Sequence, residues 1–144
     1  MPSAILKDML TLKGYCEKNN IDINKCIDLC IGDGGTILPK FAGYTGYIVE
    51  IHDTYMTFVN DKLEVKKDIP FSSFQRAEFG IGSGNLWLQC IVDGSELAFC
   101  TTRGKWKSPA AKLMLEKIEE HTEILDWKEY KGFTGKLFFL YLFK

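Results

Sequence analysis

The sequence lacks a long run of apolar residues. No stretch approaches the roughly 18 consecutive apolar residues that a membrane-spanning helix needs. Residues 1–8 also contain no basic region followed by an apolar block, which a secretory signal would show. We therefore expect a cytoplasmic protein without a transmembrane segment.

An excess of charge of one sign is also missing. Lysine and arginine total 18, aspartate and glutamate total 19, and the net charge is -1. Such a chain creates no overall field that would attract nucleic acid or an anionic membrane, so any anion site must be a local patch. Nucleic acid is therefore not an expected partner of the chain as a whole.

Histidine is scarce and cysteine is odd in number. The two histidines, His52 and His121, have no serine or cysteine nucleophile beside them in a recognisable arrangement. The five cysteines match no small secreted disulfide framework. Cys26 and Cys30, with Cys16 nearby, lack the histidine or second cysteine pair that would complete a tetrahedral zinc site. We expect reduced, mostly buried thiols, no metal, no cofactor and no enzymatic activity.

The first 35 residues are interpreted as a helical leader. Apolar residues recur at helical spacing from Ile5 to Cys16, and two asparagines then interrupt the pattern. A second short helix is predicted to begin at Asp22 or Asn24 and to end at Ile31, because a glycine follows there. The glycine-rich segment after this helix is expected to join the leader to the next domain.

Residues 36–125 change to a period of two and form the predicted main domain. Six strand-like runs lie between residues 45 and 103, and the clearest hairpin turns at Asp93-Gly94. In that hairpin Leu88 would face Phe99, which places a largely apolar set on one side of the sheet. The predicted strands are residues 46–52, 55–60, 63–68, 74–81, 85–92 and the run that begins at Ser95, with residues 36–41 as a further candidate.

An amphipathic helix follows these strands. Ser108 is suited to accept hydrogen bonds from the first free helical amides, and Pro109 fits the first helical position. One side of the helix is apolar as far as Thr122, so this side has to be buried against the sheet. The sequence therefore predicts an α+β fold in which one strongly bent antiparallel sheet, or two packed sheets, is closed by this helix.

Three segments resemble bacterial pleckstrin-homology-like (PH-like) and GRAM-like domains. Residues 46–58 look like the opening hairpin of these domains, and residues 69–74 look like the crossing into their second sheet. Residues 92–99, together with the helix from Ser108, resemble their closing hairpin and capping helix. The resemblance covers roughly residues 36–122 and implies a bent antiparallel roll or barrel with a C-terminal capping helix.

The resemblance also implies a binding function. The best-known members of this family bind phosphoinositide head groups through lysines and arginines in the loop between their first two strands. That loop is interpreted here as His52-Asp53-Thr54, which contains neither residue, so phosphoinositide binding by this route is not expected. What remains is a protein-interaction or self-assembly module whose partner is another protein or a second copy of the chain.

A short basic segment supports an alternative function. Four cations surround one tryptophan just before the predicted helix, where free helix amides are also expected. Such a site would hold a phosphate of an anionic lipid or nucleic acid, or stack a nucleic acid base. The competing interpretation is a solvated loop whose tryptophan covers the end of the core. The residues are Arg103, Lys105, Trp106, Lys107 and Lys112.

Residues 126–144 form an aromatic tail. Residues 137–143 are all apolar, too few for the about 20 that span a bilayer as a helix, but enough for one buried strand. Three interpretations stay open: a strand within the domain, a strand at a subunit interface, and a short membrane-associating anchor. The candidate interface residues are Leu137, Phe138, Phe139, Tyr141 and Phe143.

Overall fold

The computed structural model describes residues 11–33, 37–39, 45–82 and 84–125, which form an α+β fold. Its centre is an eight-stranded sheet in the order β4-β3-β2-β1-β7-β6-β5-β8, antiparallel throughout except for the short pairing of β5 with β8. The strands are β1 (Cys26–Asp33), β2 (Thr45–Ile51), β3 (Tyr55–Asn60), β4 (Val65–Pro70), β5 (Phe74–Gly82), β6 (Asn85–Val92), β7 (Ser95–Cys100) and β8 (Ile124–Leu125).

The sheet has to bend strongly because of one short connection. β4 and β5 lie six strand spacings apart in the sheet order, which would be about 29 Å in a flat sheet. Only the 3-10 turn Phe71–Ser73 joins them, and a chain of that length reaches about 14 Å. The sheet therefore curves until the end of β4 comes close to the start of β5.

Three α-helices accompany the described part of the sheet, namely α1 (Leu12–Asn19), α2 (Arg103–Trp106) and α3 (Pro109–Glu119). The predicted start of α3 is confirmed, since the Ser108 hydroxyl accepts a hydrogen bond from the Ala111 amide at 3.2 Å and Pro109 takes the first position. α1 ends where the asparagines predicted, with Asn20 in the left-handed conformation. None of the helices in the described ranges is long and apolar enough to cross a membrane.

The inner face of the bent sheet and α3 enclose the main core. The register predicted for the β6–β7 hairpin is confirmed, because Leu88 lies opposite Phe99 and both side chains are fully buried. Leu38, between β1 and β2, is also fully buried in this core. The helix contributes Ala110, Ala111, Met114, Leu115 and Ile118.

The second helix predicted in the leader was wrong, because Cys26–Asp33 is strand β1, which pairs with both β2 and β7. Ile27 and Ile31 are four residues apart, and this spacing puts two side chains on one side of a helix and also of a strand. Leu29 lies between them and is buried in the same core, which fits only the period of two. The last part of the predicted leader is therefore a central strand of the sheet.

The position of β1 also shows that the loop compared with the lipid-binding loop of PH-like domains does not join the first two strands. His52-Asp53-Thr54 joins β2 to β3, whereas the connection between β1 and β2 spans residues 34–44. That connection contains one basic residue, Lys40. The strand suggested for residues 36–41 is not formed by residues 37–39, which make a turn and a bend, and its other positions lie outside the described residues.

Other predicted boundaries differ by a few residues or lie outside the described ranges. β4 begins at Val65 rather than at residue 63, because Asp61–Leu63 forms a 3-10 turn closed by Glu64 in the left-handed conformation. α3 ends at Glu119, three residues before the predicted end. The tail, residues 126–144, lies outside the described residues together with its candidate interface positions.

Candidate functional site

The outer face of the sheet carries an open groove of about 630 Å³. It arises where β1, β2 and β7 lie side by side and where the chain leaves β3 and β7. Because side chains alternate along β1, Ile27, Leu29 and Ile31 fill the core and leave Asp28 and Cys30 on this outer face. The lining includes Asp28, Cys30, Gly46, Lys62, Cys100 and Lys105.

The edge of the groove beside β3 is fixed by Asn60. Its side-chain amide donates to the Gly46 carbonyl at 2.7 Å, and its side-chain oxygen accepts from the Leu63 amide at 3.1 Å. These two bonds hold the Asp61–Leu63 turn against β2 and place Lys62 at the groove. Gly46 leaves the floor open, since a Cβ added there would meet only the Leu29 carbonyl oxygen, at 3.9 Å.

An ion pair forms the opposite edge. The Lys105 ammonium contacts both carboxylate oxygens of Asp28 and lies 2.5 Å from Oδ2. The side chains of Lys105 and Asp28 are 40% and 37% exposed, so solvent screens this pair. Lys105 is held in position because Thr102 caps α2, with its hydroxyl accepting from the Lys105 amide at 3.3 Å.

The basic segment proposed from the sequence is not gathered around an accessible aromatic ring. Trp106 is only 8% exposed, and its indole nitrogen donates to the Leu86 carbonyl at 3.1 Å. Its ring packs edge-on against Phe79 and also contacts Phe99, so it covers the end of the core as the competing interpretation held. Lys107 and Lys112 are exposed, whereas Lys105 is turned to Asp28.

Four of the five cysteines form two pairs on the outer face. Cys30 on β1 lies directly opposite Cys100 on β7 in the antiparallel pairing of the two strands. Cys26 on β1 and Cys16 of α1 belong to one small buried cluster. All five thiols are free, and within the described ranges no three histidine, cysteine or acidic side chains are grouped to hold a metal ion.

The sequence signal for these pairs is the spacing of two cysteines in β1. Cys26 and Cys30 are four residues apart and share one side of β1, but this becomes informative only when the segment is known to be a strand. Their partners are distant in the chain. Burial raises the pKa of every paired thiol, and it raises that of Cys100 to about 11.

A third cluster connects α1 to the sheet. The Tyr15 hydroxyl donates to Glu50 of β2, and the other oxygen of this carboxylate lies 3.2 Å from Nε2 of His52. The His52 ring stacks on Tyr55 with the centroids 4.5 Å apart. Burial, with the neighbouring Glu50 carboxylate, raises the pKa of Tyr15 above its usual range. The arrangement anchors the helix, and the contacts with Glu50 and Tyr55 orient the His52 ring.

Together these features define the class of protein, an α+β domain with a mostly antiparallel sheet and an open site on its outer face. No protein-family model matches this chain, and a search of curated proteins finds no match to it.

Proposed function

We propose that this chain is a non-enzymatic PH-like binding module that holds a protein segment in the outer groove. The segment belongs to another protein or to a second copy of the chain. The single observation that carries the proposal is the groove itself, an open depression of about 630 Å³ on a sheet whose other face is filled by the core.

The order of elements supports the PH-like assignment. A meander of four strands, β1 to β4, crosses at Phe71–Ser73 into a second meander, β5 to β7, and the amphipathic helix α3 follows. The family resemblance implies this series of strands, crossing and capping helix. The bend derived from the short crossing is also the curvature that a roll requires.

The chemistry of the lining supports a protein segment as the ligand. The lining includes the apolar residues Ile48 and Cys30 and the polar residues Asn60, Thr101 and Thr102. An extended segment presents both apolar side chains and backbone hydrogen-bonding groups. The apolar residues of the lining suit the former, and its polar residues suit the latter. Asp28 with the lysines Lys62 and Lys105 gives the lining a net charge of +1, which favours a segment with an acidic residue.

Two glycine substitutions on the sheet make a matched test. Gly46→Trp would fill the groove, since its Cβ has one ordinary contact at 3.9 Å and its backbone is extended. Gly80→Trp makes the same change on β5 outside the groove, again with one contact at 3.9 Å. Wild type and both variants would be compared by mass measurement over a concentration series and by capture of partners from native lysate.

We expect association that is lost in Gly46→Trp and kept in Gly80→Trp. The proposal is overturned when all three proteins stay monomeric and capture the same set of partners. The alternative function, binding of phosphate-bearing ligands by the basic segment, predicts a different result. Retention on a phosphate matrix would then fall steeply with salt, persist in Gly46→Trp and be lost in a Lys107→Ala, Lys112→Ala double variant.

A further inference from the structure

The Cys30 and Cys100 thiols lie together at the groove. They are direct partners in the antiparallel pairing of β1 with β7, and both residues line the groove. Opposed Cβ atoms in such a pair are about 4.5–5.5 Å apart, while a disulfide needs about 3.5–4.5 Å. The two strands would therefore have to approach by about 1 Å, and the register of β1 already shifts just beyond Ile31.

We propose that Cys30 and Cys100 form a peroxide-sensitive dithiol site that closes to a disulfide between β1 and β7. This inference does not depend on the function proposed for the groove. The substrate class is hydrogen peroxide or a small organic hydroperoxide, which an open groove of this size admits.

The reaction proceeds in two balanced steps. The Cys30 thiolate attacks one peroxide oxygen, the O–O bond breaks, and the departing hydroxide takes up a proton as water, or as an alcohol from an organic hydroperoxide. Cys30 is then a sulfenic acid. The Cys100 sulfur attacks the Cys30 sulfur, the S–O bond breaks, and the released hydroxide takes the Cys100 proton to give water. Two thiols lose two electrons and two protons, and the peroxide is reduced.

The two thiols have different roles because their surroundings differ. Cys30 is half-buried and reachable from the groove, whereas Cys100 is 8% exposed. Burial raises the pKa of Cys30 above its usual range, and hydrogen bonding with Cys100 offsets only part of this rise. Burial, the neighbouring Cys30 and this same bond raise the pKa of Cys100 to about 11. Cys30 is therefore the attacking thiol and Cys100 the resolving thiol.

The other thiols are less accessible to a peroxide. Cys90 is 3% exposed and belongs to the core on the inner face. Cys16 and Cys26 are 4% and 1% exposed and form their own small cluster with Ile48 beneath α1. The groove pair is therefore expected to oxidise first in the folded protein.

A disulfide at this position would tie the two meanders together. β1 and β7 are the strands through which the β1–β4 meander pairs with the β5–β7 meander. The new bond would close a loop from residue 30 to residue 100, which restricts the unfolded chain. For a domain of this size we expect the melting temperature to rise by about 10 °C.

The test uses the full reduced chain treated with hydrogen peroxide and then mapped by mass spectrometry without reductant. We expect a Cys30–Cys100 disulfide, the loss of two titratable thiols, a higher melting temperature, and reversal of all three by dithiothreitol. Mapping of the wild type needs no variant, so the result does not depend on whether a substitution folds. A first disulfide between Cys16 and Cys26, or none in the folded protein, overturns the proposal.

Variants separate the two roles. Cys100→Ser should retain a sulfenic acid at Cys30 that dimedone labels, and Cys30→Ser should give no such label at Cys100. Cys90→Ala serves as the control that keeps both groove thiols and should form the same disulfide. Labelling of Cys100 in the Cys30→Ser protein, at a rate equal to that of Cys30 in Cys100→Ser, would overturn the assignment of roles.

Discussion

The two faces of the sheet are built on different principles. The inner face holds one large apolar cluster with members from β1 to β8 and from α3. Among the described residues, the outer face holds two small clusters, one beneath α1 and one around Trp87, with the groove on the strands β1, β2 and β7. The inner face therefore provides most of the stability, and the outer face is free to carry polar groups, thiols and a binding site.

Strand β1 shows this difference within one segment. Its inward residues Ile27 and Ile31 are 1% and 0% exposed, while Asp28 and Cys30 between them face the groove. The two sets of residues alternate along the strand. A shift of one residue in register would therefore turn the core residues to the outer face and the groove residues to the core. The same pairing that closes the core thus also positions the groove.

The largest effect is expected on the inner face. Phe99→Ala should lower the free energy of unfolding by about 3–5 kcal/mol, because this fully buried ring contacts Trp106 and leaves a cavity when removed. Urea unfolding measures the loss. Ile23→Ala is the control, since Ile23 is 48% exposed and should change stability by less than about 1 kcal/mol. Comparable losses in the two variants would contradict the assignment of the core.

A buried thiol of the inner face should make stability depend on alkaline pH. Burial raises the pKa of Cys90 well above its usual range. Above pH of about 8.5 the unfolded chain releases this proton while the folded chain keeps it, so stability falls as pH rises. Above that pH, this thiol lowers the free energy of unfolding by about 1.4 kcal/mol for each pH unit.

The measurement is urea unfolding of wild type and Cys90→Ala at pH 8 and pH 10. The outer thiols shift in the same direction and remain in both proteins, so the variant isolates the inner one. We expect the loss between the two pH values to be smaller by about 2 kcal/mol in Cys90→Ala. An identical loss in both proteins would show that Cys90 ionises normally in the fold.

On the outer face, Gly32 is expected to matter through one close contact. A Cβ added there would lie 2.5 Å from Cζ3 of Trp87, so the ring has to move. Gly32→Ala should cost about 1–2 kcal/mol and shift tryptophan emission. Gly80→Ala, whose Cβ meets only the Gln89 amide at 3.9 Å, should stay within about 0.5 kcal/mol of wild type. Equal behaviour of the two variants would argue against a tightly packed outer face.

The smallest effect is expected for the ion pair at the groove. Asp28→Asn should change stability by less than about 1 kcal/mol, because the Asp28 and Lys105 side chains are both more than a third exposed. A double-mutant cycle with Lys105→Met, at low and high salt, measures the coupling. A coupling above about 2 kcal/mol that persists in high salt would mean that the outer face contributes to stability as the core does.

Strong local signals account for what was predicted correctly. Asp93-Gly94 between two alternating runs determines the β6–β7 register, and Ser108-Pro109 determines where α3 begins. Each signal lies within a few residues of the feature it specifies. The wrong prediction at residues 26–33 arose because no local signal decides there. Isoleucines four residues apart fit a helix as well as a strand, and the strands that pair with this segment, β2 and β7, are far along the chain.

The candidate site was predicted less well than the fold. The sequence left two interpretations of Trp106 open, an accessible ring among cations and a cover for the end of the core, and the indole ring packs against Phe79 and Phe99. The groove was not predicted, because residues of β1, β2, β7 and the turn after β3 form it jointly. The pairing of Cys30 with Cys100 likewise joins residues that no local pattern connects.

The sequence by itself determined the six strands from residue 45 onward, the turn at Asp93-Gly94 and the capped helix, because alternation, turn chemistry and capping act over a few residues. Only the tertiary structure decided that residues 26–33 are a central strand, which of the two interpretations of Trp106 holds, and that two thiols meet at a groove. These outcomes depend on pairings between distant segments, and the free energy of burying a side chain depends on everything that packs around it.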